Sequence, residues 1–154
     1  MNKIQIHVEL KPKLRKLTFK QKLTNLFSST QIQVPNLYMV FLVDAPNKRY
    51  IPLVTGESEA TSIAIRLNKV IPSRPMTHDL IHHIMNTHHI QITEVLIDKI
   101  EEGIFSAKLV TKGINETKII DARPSDAITI ALCCNKPIYV NEDLFKVKGL
   151  KIEH

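Results

Sequence analysis

Two short segments concentrate the side chains that could act on a phosphate ester. They are RPMTHDL at residues 74–80 and DARPSDA at residues 121–127. Phosphodiester hydrolysis needs an activated water, charge neutralisation at phosphorus and help for the leaving group. Nucleases commonly obtain these from Mg²⁺ on carboxylates and from arginine or lysine. The two segments together contain the histidine, arginine and carboxylates for such chemistry.

Each side-chain type in these segments suggests a role. His78 could act as a general acid or base, because histidine titrates near neutral pH. Arg74 and Arg123 could clamp phosphate through their planar guanidinium groups. Thr77 and the N–H groups at a helix start could bind a phosphate oxygen. The candidate ligands for Mg²⁺ or another divalent cation are Asp79, Asp121 and Asp126. The candidate catalytic residues are His78, Asp79, Arg123 and Asp126.

The same residues also have a structural interpretation, which stays open here. Asp79 and Asp126 fall in the predicted first turn of a helix, where a carboxylate gains about 0.3–1 kcal/mol from the helix dipole. Arg74 and Arg123 could pair with those acids and fix the orientation of the helices. The five histidines at 78, 82, 83, 88 and 89 include one pair at zinc-like i, i+4 spacing, but no cysteine or third ligand accompanies it. We interpret that group as surface histidines on a polar helix face.

Hydrophobic periodicity predicts the elements that position these segments. Alternation at residues 4–10 indicates a strand, and residues 18–27 are predicted to form a short amphipathic helix. Further strands are predicted at 37–43, 49–54, 92–100, 103–112, 117–121 and 137–140, with Pro52 at an edge or bulge. Helices are predicted over 57–70, from a Thr77 cap to about His88, and from Pro124 onward. The predicted inward-facing residues are Leu80, Ile81, Ile84 and Met85 in the second helix, and Ala127, Ile128, Ile130 and Ala131 in the third.

This order of elements predicts an α+β fold with about three main helices packed on a mixed or antiparallel sheet. A chain of 154 residues that is 44% hydrophobic suits a single domain. Cys133 and Cys134 are adjacent and imply no disulfide framework. No targeting segment or membrane-spanning run is visible, so we expect a cytoplasmic protein that does not engage membranes.

The net charge of +6 arises from the N-terminal residues. Residues 1–30 carry one acid, Glu9, and seven basic side chains: Lys3, Lys11, Lys13, Arg15, Lys16, Lys20 and Lys22. Such a segment raises affinity for polyanions without reading sequence, although a solvated surface would look the same. The candidate nucleic-acid-binding residues in this segment are therefore Lys11, Lys13, Arg15 and Lys16. Arg74 and Thr77 join them as the possible phosphate-binding groups described above.

The stretch VTGESEATSIAIRLNKVIPSRPMTHDL, followed about 40 residues later by DARPSDAITIAL, is similar to the bifunctional nuclease domain of bacteria and plants. The similarity covers about residues 37–145. It divides the chain into a basic N-terminal strand and helix arm at 1–36, the nuclease-like domain at 37–145 and a C-terminal tail at 146–154. The long basic region at residues 11–33 departs from the family pattern.

The resemblance implies hydrolysis of DNA and RNA with little sequence specificity. The general chemistry of nucleases adds the expectation of Mg²⁺ or another divalent cation, and we expect no organic cofactor. One alternative is a nucleic-acid-binding or regulatory module without turnover, because the sequence shows no obvious stacking platform. Another is a domain that binds a small ligand or a protein. Exposed edges of a small sheet would also allow a homodimer.

Overall fold

The computed structural model describes residues 2–11 and 37–151, which form a mixed sheet with helices packed on it. The strands are β1 Lys3–Lys11, β2 Tyr38–Asp44, β3 Arg49–Thr55, β4 Gln91–Glu101, β5 Ile104–Lys112, β6 Thr117–Ala122, β7 Ile138–Asn141 and β8 Leu150–Lys151. The helices are α1 Glu57–Leu67, α2 Thr77–Thr87, α3 Pro124–Cys134 and α4 Glu142–Lys148. The expected single α+β domain is confirmed, with three helices of 11 residues and a short fourth.

The eight strands lie in the order β6-β5-β4-β7-β1-β2-β3-β8. Only β4 and β7 run parallel, and α3 lies in the connection that returns the chain from the β6 edge to β7. The β4–β5 hairpin closes through Glu102 and Gly103, both at positive φ, as a tight two-residue turn requires. Because β8 pairs only with Arg49 and Tyr50, Pro52 lies where β3 has no second neighbour among residues 2–11 and 37–151, as predicted for an edge.

The hydrophobic core lies between one face of the sheet and the helices α1 and α3. Its fully buried side chains include Val40, Leu42, Ile51, Ile63, Val95, Ile97 and Ile128. The predicted inward face of α3 is confirmed, because Ala127, Ile128, Ile130 and Ala131 are all buried. Burial of aliphatic side chains is the main favourable contribution to folding, so this face fixes where the start of α3 lies.

The predicted burial of α2 is wrong. Leu80 is 56% exposed, Ile84 is 51% exposed and Ile81 is 37% exposed, while Met85 alone of the four is partly buried against the core. In the described part of the chain, α2 packs on α3 and makes no extensive contact with a strand. Its apolar spacing correctly identified a helix but could not show which side of the helix another element covers.

The predicted helix at residues 18–27 lies outside the described residues. The first long helix ends at Leu67 rather than at residue 70, because Asn68 leaves the helical conformation and Lys69 is left-handed. The basic segment begins with β1, whose backbone pairs with both β7 and β2. The division into three parts at residues 36 and 145 stays a prediction. No helix in the described ranges is long and apolar enough to cross a membrane.

Candidate functional site

The start of α2 is built around the carboxylate of Asp79. Met76 precedes the helix, Thr77 is its first residue, and Asp79 Oδ2 accepts a hydrogen bond of 2.8 Å from the Met76 backbone N–H. The predicted cap at Thr77 is therefore wrong by one position, and Asp79 satisfies the exposed backbone donor instead. Arg66 Nη2, from the last turn of α1, donates to the same Oδ2 at 2.6 Å.

These two donors determine the ionisation of Asp79. Burial opposes the charged form, but the Met76 N–H and the Arg66 guanidinium outweigh it and lower the pKa of Asp79 below its ordinary value. Nothing in the sequence distinguishes Arg66 from other basic residues except its place in the last turn of a helix. Its side chain is 15% exposed, so the ion pair joins α1 to α2 in a largely water-excluded place.

The start of α3 places a second carboxylate at the equivalent helical position. Arg123 precedes the helix, Pro124 is its first residue and Asp126 is its third. Arg123 donates to both oxygens of Asp126, through Nε to Oδ2 at 2.7 Å and through Nη2 to Oδ1 at 3.1 Å. This two-point contact is a strong form of arginine–carboxylate pair, and it raises the pKa of Arg123.

His78 joins the two segments. Its Nε2 lies 3.4 Å from Asp126 Oδ1, although the two residues are 48 positions apart in the chain. The His78 side chain is 13% exposed, so it lies in the interface between α2 and α3. Burial opposes the ionisation of Asp126, but Arg123 and then His78 outweigh it, and the pKa of Asp126 lies below its ordinary value. The structure thus brings together three of the four predicted catalytic residues, and Asp79 lies next to His78 in the chain.

A third acid reaches the site from α1. Glu59 Oε1 lies 3.4 Å from Arg123 Nη1, and Glu59 belongs to the first turn of that helix. A Cβ at Gly56, which precedes α1, would approach Glu59 Oε2 to 2.7 Å. Any side chain at Gly56 would therefore displace the Glu59 carboxylate from its present place.

A groove of about 710 Å³ opens beside Arg123. We call it the Arg123 groove. It lies between the strands β2 and β3, the starts of α1 and α3, and the tip of the β4–β5 hairpin. Its accessible walls are mainly apolar and include Pro52, Val54, Ile100, Ile104 and Phe105, with the buried core directly behind them. Its charged side chains are Glu59, Arg123 and Lys148, so it shares two residues with the ion-pair network.

Other predicted site residues lie apart from this network. Arg74 and Thr77 are exposed in and after the α1–α2 loop, and Arg74 has no ion pair within residues 2–11 and 37–151. Asp121 is exposed on β6, in register with Lys108 of β5. Lys11 ends β1, with its backbone opposite Met39. The remaining predicted nucleic-acid-binding residues, Lys13, Arg15 and Lys16, lie outside the described residues.

The carboxylates do not form a metal site in this arrangement. Among the described residues, no group of three or more His, Cys, Asp or Glu side chains is close enough to hold a metal ion, so Asp121 does not complete a set with Asp79 and Asp126. Arg66 and Arg123 already neutralise the other two carboxylates. A divalent cation bound by protein side chains alone does not fit these residues as they stand.

The remaining histidines and the cysteines have ordinary surroundings. His82 Nε2 contacts Asn86 Nδ2 at 3.0 Å on the outer part of α2. Both cysteines are reduced and half-buried at the end of α3, and burial raises the pKa of Cys134 to about 11. A thiol with a raised pKa is a poor nucleophile near neutral pH.

Comparison with known proteins gives the family. Residues 40–153 match the bifunctional nuclease domain. An uncharacterized protein of Mycobacterium tuberculosis is 38% identical over 120 residues, which are 78% of this chain and 71% of that protein. Bifunctional nuclease 1 of Oryza sativa subsp. japonica is 25% identical over 123 residues, which are 77% of this chain but 37% of the rice protein. Bifunctional nuclease 1 of Arabidopsis thaliana is 26% identical over 105 residues, or 66% of this chain and 32% of that protein.

The domain match covers most of the chain and includes both segments that meet at His78 and Asp126. The chain belongs to the bifunctional nuclease domain family.

Proposed function

We propose that this protein is a nuclease that hydrolyses phosphodiester bonds in DNA and RNA, and that His78, Asp126 and Arg123 carry the reaction. The observation that supports this most directly is the contact between His78 and Asp126, which links the two segments next to an exposed arginine. The names of the plant relatives point to the same class of reaction.

His78 is proposed as the general base. Its Nε2–H donates to the ionised Asp126, and this leaves the lone pair on Nδ1 to accept a proton from water. The oxygen of that water attacks phosphorus while the bond to the leaving oxygen breaks. The leaving oxygen takes a proton from solvent, and the products are a phosphate monoester and a hydroxyl group. Asp126 keeps the ring in the required tautomer and stabilises the positive charge it gains.

Arg123 is proposed as the group that binds the scissile phosphate. Its side chain is 66% exposed, so a phosphate can reach it, and its guanidinium already makes a two-point contact with Asp126. A phosphate matches the same planar group. Arg123 Nη1 is the donor that is easiest to share, because within the described part of the chain its one hydrogen bond is the 3.4 Å contact with Glu59. Charge neutralisation of this kind is a large component of catalysis at phosphorus.

A divalent cation enters this proposal only as a requirement to be measured. Mg²⁺ in phosphoryl chemistry is often held by one or two carboxylates together with the substrate phosphate. Here both carboxylates are occupied by arginine, so we assign the metal no step.

One observation favours a second candidate, a nucleic-acid-binding module without turnover. Each of the two carboxylates is neutralised by an arginine, and each lies where a helix start needs an acceptor. An arrangement that only stabilises the helices would look the same at Asp79 and Asp126, but it would not require the histidine contact.

The test compares two histidines of one helix. Wild type, His78→Gln and His82→Gln would be incubated with labelled single- and double-stranded DNA and RNA, with Mg²⁺ and with EDTA. We expect His78→Gln to cut at least about 100-fold more slowly, the usual loss when a general base is removed. His82→Gln should stay within a few-fold of wild type.

Three results would count against the nuclease. Equal cleavage by His78→Gln and wild type would place the activity in a contaminant or elsewhere in the chain. Nucleic-acid binding without any cleavage would support the second candidate. Neither binding nor cleavage in any buffer would overturn both.

A further inference from the structure

We infer that the Arg123 groove binds an unstacked nucleobase of the strand whose phosphate is held by Arg123. This inference rests on the proposed function for the nature of the ligand. It adds a subsite that recognises bases beside the site that acts on phosphate.

The size and walls of the groove suit a flat, largely apolar ring. Its volume of about 710 Å³ lies within the range of about 300–1,000 Å³ that is common for small-ligand sites. Phe105 supplies an aromatic ring, and Val54, Ile100 and Ile104 supply accessible aliphatic surface. Aromatic side chains bind bases of any sequence by stacking, because every base has a π-face.

The polar groups of the groove suit the edge of a base and its phosphates. Thr55 and Ser125 bring hydroxyl groups, and Glu59 brings a carboxylate that can accept from a base amino group. Arg123 and Lys148 are the cationic side chains, so a ligand with anionic ends and an apolar middle complements the lining.

Arg123 connects this groove to the chemistry. The same guanidinium lines the groove and binds Asp126, the acceptor of His78. A phosphate held by Arg123 next to His78 therefore has its own nucleoside within reach of the apolar walls. An acyl chain would fill the walls as well, but it would give the carboxylate and the hydroxyl groups no partner.

A base can enter such a groove only when it has left the duplex stack. The protein should therefore favour single strands, loops and frayed ends over paired helices of either DNA or RNA.

The test uses strands that differ only in their bases. A fluorescent oligothymidylate and an abasic strand of the same length carry the same phosphates, and their binding would be followed by anisotropy in EDTA, so that turnover plays no part. We expect wild type to bind the base-bearing strand about tenfold more tightly or better.

Two matched variants locate the effect. Ile104 is 71% exposed at the edge of the groove, and Ile119 is 64% exposed on β6 and is not among the groove residues. Ile104→Glu and Ile119→Glu change the net charge equally, so phosphate attraction is matched. Ile104→Glu should lose the preference for base-bearing strands, whereas Ile119→Glu should keep it. Phe105→Leu, which keeps an apolar side chain but no ring, should reduce the preference several-fold.

The inference is overturned if wild type binds both strands equally, or if Ile104→Glu keeps the full preference. It is also overturned if a fatty acid displaces the bound strand from wild type but not from Ile104→Glu, while thymidine nucleotides displace it from neither. Cleavage that persists without a base preference would leave the nuclease proposal standing. A base preference without cleavage would contradict the nuclease proposal but would still support base binding in the groove.

Discussion

The helices α2 and α3 have similar first turns, but the ion pairs at those turns differ in their exposure to solvent. Each has 11 residues, and each carries an aspartate at its third position that is bound by an arginine. The arginine of α2 is Arg66, which is largely buried, whereas the arginine of α3 is Arg123, which is largely exposed. A buried pair joins two elements, while an exposed pair can exchange one partner for a ligand.

The difference extends along the two helices. The inward face of α3 is fully buried between α1 and the sheet, and α2 lies on α3 with three large aliphatic residues exposed. The well-buried helix α3 thus carries Asp126 and begins directly after Arg123, and the more exposed helix α2 carries His78. In the nuclease proposed above, the preorganised charge of Arg123 and the general base His78 would therefore come from separate elements.

Substitution of Asp79 and of Asp126 should give the largest difference between the structural pair at α2 and the proposed catalytic pair at α3. Asp126→Asn should lower cleavage about 100- to 10,000-fold, because His78 loses its charged acceptor. Asp79→Asn should leave the rate of the folded protein within a few-fold, but it should cost about 1–3 kcal/mol of unfolding free energy, since Arg66 loses its charged partner. Rates would be measured beside urea unfolding curves. Equal losses of rate in both variants at unchanged stability would show that Asp79 belongs to the site.

Substitution of one isoleucine in each helix should show how much more the packing of α3 contributes to stability than the packing of α2. Ile128 is fully buried in α3, and Ile84 is 51% exposed in α2. Ile128→Ala should cost about 2–5 kcal/mol through lost burial and a cavity. Ile84→Ala should change stability by less than about 0.5 kcal/mol. A loss for Ile84→Ala as large as that for Ile128→Ala would mean that α2 is covered in solution, and a dilution series would then show whether a second copy covers it.

The sequence predicted α3 and its buried face because the signals for both lie within one short stretch of the chain. Pro124, the acid at the third position and the buried aliphatic face are local features, and each follows from helix geometry. The contact between His78 and Asp126 joins two segments that are far apart in the chain, and it is the packing of α2 on α3 that places Nε2 and Oδ1 3.4 Å apart.

What the sequence missed depends on tertiary contacts. Arg66 is one basic residue among many, and its role exists only because the end of α1 lies beside the start of α2. The Arg123 groove is formed by residues from seven helices and strands, none of which carries a motif for it. Asp121 also belongs to the DARPSDA segment, but it is exposed on β6 and forms no cluster of three or more possible metal ligands among the described residues.

Lowering the pH should produce a smaller difference between the two ion pairs, in how stability depends on pH. The pKa values of Asp79 and Asp126 are both lowered in the folded protein. Unfolded chains therefore bind more protons, and the stability that these groups contribute is present above the ordinary pKa of 3.8 and is lost as the pH falls below it. Solvent screens the pair with exposed Arg123 more than the pair with Arg66. We expect Asp79→Asn to flatten the acid side of the stability curve more than Asp126→Asn does.

Urea midpoints measured from pH 7 down to pH 3 would check this expectation. Buried Asp44, whose pKa is lowered by Asn47 and Arg49 against its burial, remains in both variants and should keep some acid sensitivity in each. A greater flattening in Asp126→Asn would mean that its pair with Arg123 is closed to solvent in the folded protein. The guanidinium would then be unable to exchange partners with a phosphate, and the proposed division between a structural and a functional helix start would be reversed.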